Sequence, residues 1–207
     1  MTEWFELAED VVIFNVRVSP QIIGRIKTIE WVLDVVVTDH ELAIQHTASD
    51  ISALVDRLLP YFDVSLHKPE VPTFEVPVCY ELGLDWDELE KSVGLYRNEI
   101  QRLHASAYFE VSYGYTPGFL YLTGLPERLK CPRKPTPRRQ VPKGAVGIGG
   151  AKSGIYALDA PGGWQIIGRT PMELFDRDKN PPVPIPFGAR VRFKAISKEE
   201  FLAYDSI

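Results

Sequence analysis

The sequence predicts an α+β chain, a small N-terminal βαββα unit followed by a glycine- and proline-rich β unit. Three observations carry this. Apolar residues over the first 60 positions switch between strand and helix spacing. A polar stretch with two prolines, Leu66 to Pro72, then interrupts the pattern and reads as a linker. Finally, 12 of the 15 glycines and 12 of the 17 prolines lie beyond residue 110, a density that rules out long helices there and favours a barrel or a sandwich. The chain has 207 residues, 45% of them hydrophobic and 25% charged, which suits one large globular domain or two small ones. The linker places the expected domains at 1–70 and 73–207.

Taken in order, Val11 to Val18 is rich in β-branched residues and reads as a strand. Ser19-Pro20 opens a helix, since serine caps well and proline suits the first helical position. Ile22, Ile23, Ile26 and Ile29 form its apolar stripe. Val32–Val37 and Leu42–Gln45, joined by Thr38-Asp39-His40-Glu41, read as a hairpin. A second amphipathic helix starts near Ser49, with Ile51, Leu54, Val55, Leu58 and Leu59 at helical spacing and Pro60 as its expected end. After the linker, Phe74 to Tyr80 reads as a strand. Asp85 is then expected to cap a helix, with Glu88 as its capping-box partner. A further short helix carries Ile100, Leu103 and His104. From Tyr108 onward the pattern is one of short strands, the last of them Ala189 to Ile196. There the alternation puts Val191 and Phe193 on one face and arginines on the other. A brief helix, Lys198 to Ala203, closes the chain.

Composition excludes several classes. The start, Met1-Thr2-Glu3-Trp4-Phe5-Glu6, is acidic and lacks a basic n-region, so no signal peptide is expected. The apolar runs are only a few residues long, far below the ~20 needed to span a bilayer. Cys79 and Cys131 are too few for a disulfide scaffold or a four-cysteine zinc site, which points to a reducing, cytoplasmic compartment. The net charge of −5 is unevenly spread. Residues 1–110 are acidic, whereas Arg128 to Lys143 holds seven basic residues and no acid. Such a patch suits an anionic ligand or an acidic partner, and the alternative is a solvated basic loop. It contains no aromatic residue, which argues against nucleic acid.

Gly147-Ile148-Gly149-Gly150-Ala151-Lys152-Ser153 invites comparison with a phosphate loop, but Ala151 stands where that loop needs a glycine directly before its lysine. A strand-turn-strand is the better account. His40, His46, His67 and His104 include no pair at the helical spacing of a zinc site. His104 shortly precedes an aromatic series, Tyr108, Phe109, Tyr113, Tyr115, Phe119 and Tyr121, that glycines and a proline interrupt. Such a series is either core or the lining of a cavity. Ala160-Pro161-Gly162-Gly163-Trp164 is a rigid turn presenting an aromatic. Arg133, Arg138, Arg139 and Arg169 sit near prolines and offer the two-pronged hydrogen bonding that grips a carboxylate or phosphate, or else simple surface ion pairs.

Several of these turns recur in order in one family. Val76-Pro77-Val78-Cys79-Tyr80, His104 with Tyr108, and Tyr113-Gly114-Tyr115-Thr116-Pro117-Gly118-Phe119 come first. Gly124-Leu125, Pro132-Arg133, Pro137-Arg138, Val141-Pro142-Lys143-Gly144 and Gly154-Ile155-Tyr156 follow. Pro161-Gly162-Gly163-Trp164, Ile167-Gly168-Arg169-Thr170-Pro171 and Leu174-Phe175-Asp176 complete the set. On these motifs the chain resembles the B-type subunit of the prokaryotic 5-oxoprolinase. That family includes the sporulation kinase inhibitor KipI and the first subunit of allophanate-hydrolase-type carboxyltransferases. The first 70 residues match only in their βαββα pattern.

The resemblance implies a cyclophilin-like β-barrel for the second domain. It implies a subunit of an ATP-dependent 5-oxoprolinase, a hydrolase that opens 5-oxoproline to glutamate and is not active as this chain alone. A second carboxyltransferase-type subunit and a lactam-utilisation subunit would be its partners. ATP would be bound by the complex rather than by a recognisable loop here, and no metal site is recognisable. Two other readings stay open: a KipI-like inhibitor of a sensor histidine kinase, and a subunit of a urea- or allophanate-type carboxyltransferase. The expected catalytic residues are His104, Tyr115 and Arg169, with His104 as an acid or base near neutral pH and Arg169 holding a carboxylate. Phe119, Arg133, Arg138, Arg139 and Trp164 are the expected substrate-binding residues. His104, Tyr115, Phe119, Trp164 and Arg169 are expected around one concavity. Neither a nucleic acid nor a membrane is expected as a partner.

Overall fold

The computed structural model describes residues 2–38, 40–62, 72–112 and 119–204. The chain divides into two compact units, Met1–Glu70 and Val71–Ile207.

In the first unit, β1 (Trp4–Ala8), β2 (Val11–Phe14), β3 (Val32–Val37) and β4 (Leu42–His46) form an antiparallel sheet in the order β1-β2-β4-β3. The predicted strand from Val11 stops at Phe14 rather than Val18, and β1 is an element the apolar pattern did not announce. Helix α1 (Pro20–Ile26) begins as expected, with the Ser19 hydroxyl accepting from the Ile22 amide. Helix α2 (Ile51–Phe62) carries Pro60 within its last turn instead of ending there. Proline lacks the amide hydrogen that would bond back four residues, so the ladder loses one rung at that turn. Alternation sends Val12, Phe14, Val35, Val37, Leu42 and Ile44 into the core with Ile22, Ile23, Ile26, Leu54, Val55 and Leu58. Each such side chain contributes about 1.5–3 kcal/mol by leaving water. The proposed linker, residues 66–72, lies outside the described residues except for Pro72.

The second unit is built on a seven-stranded mixed sheet. It contains β5 (Thr73–Val78), β6 (Phe109–Ser112), β7 (Leu120–Thr123), β9 (Ala145–Gly149), β10 (Lys152–Ile155), β12 (Gln165–Arg169) and β13 (Arg190–Ala195), in the order β12-β9-β10-β7-β6-β13-β5. All neighbours run antiparallel except β13 and β5, which are parallel. A separate two-stranded ribbon pairs β8 (Arg138–Val141) with β11 (Ala160–Gly162). The would-be phosphate loop is the tight β9–β10 hairpin, turning at Gly150 with φ +62°.

The sheet is not a closed barrel, which corrects the expectation. Its edges, β5 and β12, meet only at one isolated bridge, where the Cys79 and Arg169 amides each donate to the other's carbonyl at 2.9 and 3.1 Å. Two residues before Cys79, on the same side of the strand, Pro77 has no N–H for a further rung. Beyond Cys79 the chain turns away in a short 3-10 segment, Tyr80–Leu82.

Helices α3 (Trp86–Val93) and α4 (Arg97–Ser106) follow, and α5 (Lys198–Leu202) ends the described chain. The core beneath the sheet is aliphatic and aromatic, with Val76, Leu89, Ile100, Phe109, Leu122, Ile148, Ile167, Val191 and Phe193 buried. A smaller cluster of Val141, Ala145, Tyr156, Trp164 and Ile166 forms a second apolar centre. Among the described residues no helix is long and apolar enough to cross a membrane.

Candidate functional site

Asp85 departs most from its sequence reading. It stands at the N-cap position of α3, yet its carboxylate makes no capping bond. One oxygen instead accepts from the Ile166 amide at 2.6 Å, while the Asp85 amide donates to the Ile166 carbonyl at 3.0 Å. Asp85 therefore answers both backbone groups of one residue on β12, as a neighbouring strand would. Its other oxygen accepts from Arg138 and, at 3.1 Å, from Lys134, which also pairs with Glu88. Burial alone would push this carboxyl up, but the bonds from Arg138, Ile166 and Lys134 outweigh it and hold its pKa below the ordinary carboxylate value. Much of the predicted basic patch is thus neutralised. Arg138 and Lys134 fasten β8 and the 132–137 loop to α3 and β12, and Lys143 pairs with Glu173 at 2.7 Å.

His104 lies wholly inside the core, not at an opening. Its ring stacks on Phe193 at 4.4 Å between centroids. Nδ1 is 2.8 Å from the Tyr80 hydroxyl and Nε2 is 2.9 Å from Ser153 Oγ, which itself donates to the Gly147 carbonyl at 3.2 Å. One proton arrangement satisfies every group: Tyr80 donates to Nδ1, Nε2–H donates to Ser153, and Ser153 donates to Gly147. Burial lowers the His104 pKa to about 3 and raises that of Tyr80, so the ring is neutral near pH 7. The imidazole expected as an acid or base is thus enclosed on every side in this structure.

Arg169 is likewise occupied. Its Nε donates to the Lys143 carbonyl at 2.7 Å and its guanidinium lies 5.8 Å from the Phe201 ring centroid. Arg139 sits exposed on β8, and Tyr115 lies outside the described residues.

Three of the expected residues do come together. Phe119, Trp164 and Arg133 meet on the face of the sheet opposite the main core. Phe119 lies 4.4 Å from Tyr121, 4.8 Å from Tyr156 and 5.4 Å from Trp164, centroid to centroid. The floor beneath them is glycine. A Cβ on Gly154 would meet Phe119 at 2.7 Å, and one on Gly149 would meet Trp164 at 2.9 Å, so the rings rest on bare backbone. The Lys134 amide donates to the Gly163 carbonyl at 2.6 Å, which ties the 132–137 loop to the Gly162-Gly163-Trp164 turn. This places the Arg133 guanidinium 5.3 Å from the Trp164 ring centroid. Lys152 rises from β10 beside them, its Nζ 5.9 Å from the Tyr121 centroid and 3.5 Å from Ser112 Oγ. Chemically, this face offers flat apolar rings and two cations. Among the described residues no three His, Cys, Asp or Glu side chains gather as a metal site.

Residues 15–185 match the carboxyltransferase domain, subdomain C and D. The chain belongs to that family. It is 41% identical over 133 residues to the B-type subunit of 5-oxoprolinase from Bacillus subtilis (strain 168), a stretch covering 63% of this chain and 55% of that protein. The match thus spans little more than half of the relative's length. A conserved uncharacterized protein from Pyrococcus horikoshii superposes with a TM-score of 0.61 at 30% identity, over 96% of this chain and 100% of that one. Kluyveromyces lactis urea carboxylase shares the fold, with a TM-score of 0.70 at 18% identity over 98% of this chain and 22% of that one.

Within this carboxyltransferase-type chain, sequence reasoning missed Lys152, Tyr121 and Gly149 as parts of one surface. Tyr121 stood in the aromatic series and Lys152 in the rejected phosphate loop. Only the strand register, which pairs Gly149 with Lys152 and Gly154 with Tyr121, brings them together.

Proposed function

We propose that the chain is one component of a 5-oxoprolinase, opening 5-oxoproline to glutamate with ATP in company with a second carboxyltransferase-type subunit and a lactam-utilisation subunit. The observation that carries this reading is the 41% identity to a 5-oxoprolinase component of the B type across 63% of the chain. Opening a stable lactam requires its carbonyl oxygen to be activated, and the product carries an added carboxylate. In this reading ATP is held by the complex, since Gly147 to Ser153 is a strand-turn-strand. Direct substrate contacts fall to Phe119, Arg133 and Trp164, with Arg139 and Tyr115 as further contributors proposed on the sequence pattern alone. His104, Arg138 and Arg169 serve the same reaction by holding the sheet, α3, α4 and α5 in register. Residues 73–207 act as a separable carboxyltransferase-type unit, and the complex works in the cytoplasm.

Reconstitution tests the reading. Purified alone, the chain is expected to show no ATP-dependent release of glutamate from 5-oxoproline; with both partner subunits, coexpressed from neighbouring genes, it is expected to. Full turnover by the isolated chain, or none by the assembled complex, would contradict it.

A further inference from the structure

The outer edges of the two larger sheets are not alike. At β3 the Asp34 carboxylate accepts from the Val35 amide at 2.8 Å, beside a bulge between Val32 and Asp34. At β5 Pro77 has no N–H to offer. At β12 Asp85 answers both backbone groups of Ile166. The remaining edge, β1, carries no such guard. It holds neither proline nor lysine, every residue in it is exposed, and its bulge falls at the far end, after Glu6. Its free groups can be assigned. The Asn15 amide donates to the Glu3 carbonyl at 2.9 Å. In the alternation of an antiparallel ladder, Glu3 and Phe5 therefore turn their backbone groups toward β2, and Trp4 and Glu6 turn theirs outward. Among the described residues no backbone group bonds that outer side. Phe5, Ile13, Ala43 and Val36 are successive cross-strand partners, so they form one apolar row across the open face of this sheet. Phe5 is 44% exposed and Val36 59%.

We propose that β1 pairs with β1 of a second copy of this chain, antiparallel about a two-fold axis at Phe5. Matching outward groups with outward groups allows an axis at Trp4, Phe5 or Glu6. An axis at Glu6 would set two carboxylates directly opposite each other, which is destabilising. An axis at Trp4 would leave Glu6 opposite Thr2, before the strand begins. The axis at Phe5 gives the Trp4 backbone of each copy to Glu6 of the other, so every outward group finds a partner and no acid faces an acid. The Phe5 rings then meet as a non-hydrogen-bonded pair, the closer kind, with Cα atoms about 4.5 Å apart. Aromatic cross-strand pairs of this kind stabilise a sheet. The apolar row also becomes continuous across both copies. Residues 1–62 carry ten acidic and four basic side chains, so two such units repel each other at long range. Salt screens that repulsion and therefore strengthens the pairing. A basic partner seated on β1 would be held by charge and weakened by salt. One short strand from each copy makes a small interface, and the dimer is correspondingly weak. The inference stands apart from the 5-oxoprolinase reading.

The test is sedimentation velocity of the full chain from micromolar to millimolar concentration, at low and high salt. The expected result is a monomer that becomes a dimer as concentration rises, and does so at lower concentration in high salt. Glu6→Pro removes an outward N–H that bonds nothing within the sheet, and Phe5→Lys sets two ammonium groups across the axis. Both variants are expected to stay monomeric throughout, with circular dichroism like that of the parent chain. The register is read separately by cross-linking. Phe5→Cys places two thiols at a separation that a disulfide spans, so oxidised glutathione is expected to give a covalent dimer. Val36→Cys, on the far edge of the same face, is expected to give none, and the native Cys79 and Cys131 are buried. A monomer at every concentration, a dimer that salt weakens, a dimer retained in both Glu6→Pro and Phe5→Lys, or equal cross-linking through Val36→Cys would overturn the proposal.

Discussion

The two units of the chain bury a histidine each and treat it in opposite ways. In Val71–Ile207, His104 has a partner on both ring nitrogens, supplied by Tyr80 and by Ser153 on β10. In Met1–Glu70, His46 at the end of β4 is 2% exposed and has no hydrogen-bond partner on either nitrogen among the described residues. The contrast extends further. The larger unit also buries Asp85, Ser153, Gln165 and Thr170; Gln165 Oε1 has no partner among the described residues, but three of the buried polar residues link segments far apart in sequence. In the smaller unit His46 is the one buried polar side chain among the described residues, and the rest of the core is aliphatic and aromatic. Apolar burial is non-directional, whereas a buried polar bond fixes one register. A four-stranded antiparallel sheet with one buried face has its register set largely by alternation. A mixed sheet of seven strands, with β5 and β13 paired from opposite ends of the unit, has more wrong registers to exclude, and its polar pins exclude them.

The strongest way to break this contrast is at Asp85. Asp85→Ala removes the group that answers the Ile166 amide and neutralises Arg138 and Lys134. A loss of about 3–5 kcal/mol is expected in urea denaturation of the full chain, the scale of leaving a buried ion pair half made. A loss below about 1 kcal/mol would mean that the carboxylate is a surface group in disguise.

His104→Leu comes next, with an expected loss of about 2–4 kcal/mol, since it strands the Tyr80 hydroxyl and Ser153 Oγ in the core. It also carries a pH signature. The folded-state pKa of about 3 lies below the ordinary 6.5, so between those values the unfolded chain binds a proton that the folded chain does not. The His104 contribution is therefore complete above pH 6.5 and is lost as pH falls toward 3, at up to about 1.4 kcal/mol per pH unit. Asp85 adds its own loss only below the ordinary carboxylate range near 4. Denaturation between pH 6.5 and 4.5 isolates the histidine, and the leucine variant is expected to show a flatter profile there. Identical slopes would remove His104 as the source.

Elements whose residues all face one core were legible in the sequence. Val12, Phe14, Leu42 and Ile44 announced their strands by alternation, and Ser19-Pro20 announced α1. Elements defined by a partner elsewhere were not. Trp4–Ala8 is exposed along its whole length and becomes a strand because Phe5 and Glu6 pair with Ile13 and Val12. Asp85 looks like a helix cap within its own ten residues and acts across 81 positions. The same distinction runs through the candidate site. Phe119, Arg133 and Trp164 stood out because glycine and proline turns isolate them. His104 stood out for its place before the aromatic series and proved internal, because the closing groups Tyr80 and Ser153 are 24 and 49 residues away. Lys152 could be placed only by register, which local pattern does not disclose.

The smallest expected effect has the opposite sign, and it sharpens the contrast most. An imidazole always presents at least one N–H, and at His46 both ring nitrogens are buried without a partner among the described residues. Leaving such a group unpaired costs about 1–3 kcal/mol, whereas an apolar side chain of similar size carries no such penalty. His46→Leu is therefore expected to stabilise the smaller unit by about 1 kcal/mol, part of the gain being offset by the change of shape. Hydrogen exchange of the full chain reads this locally, as slower exchange of amides in β2 and β4, whose ladder His46 adjoins. Exchange in β9 and β10 should be unchanged. If His46→Leu instead loosens β4 as His104→Leu is expected to loosen the larger unit, the smaller unit too depends on a polar pin, and the difference drawn between the two cores is void.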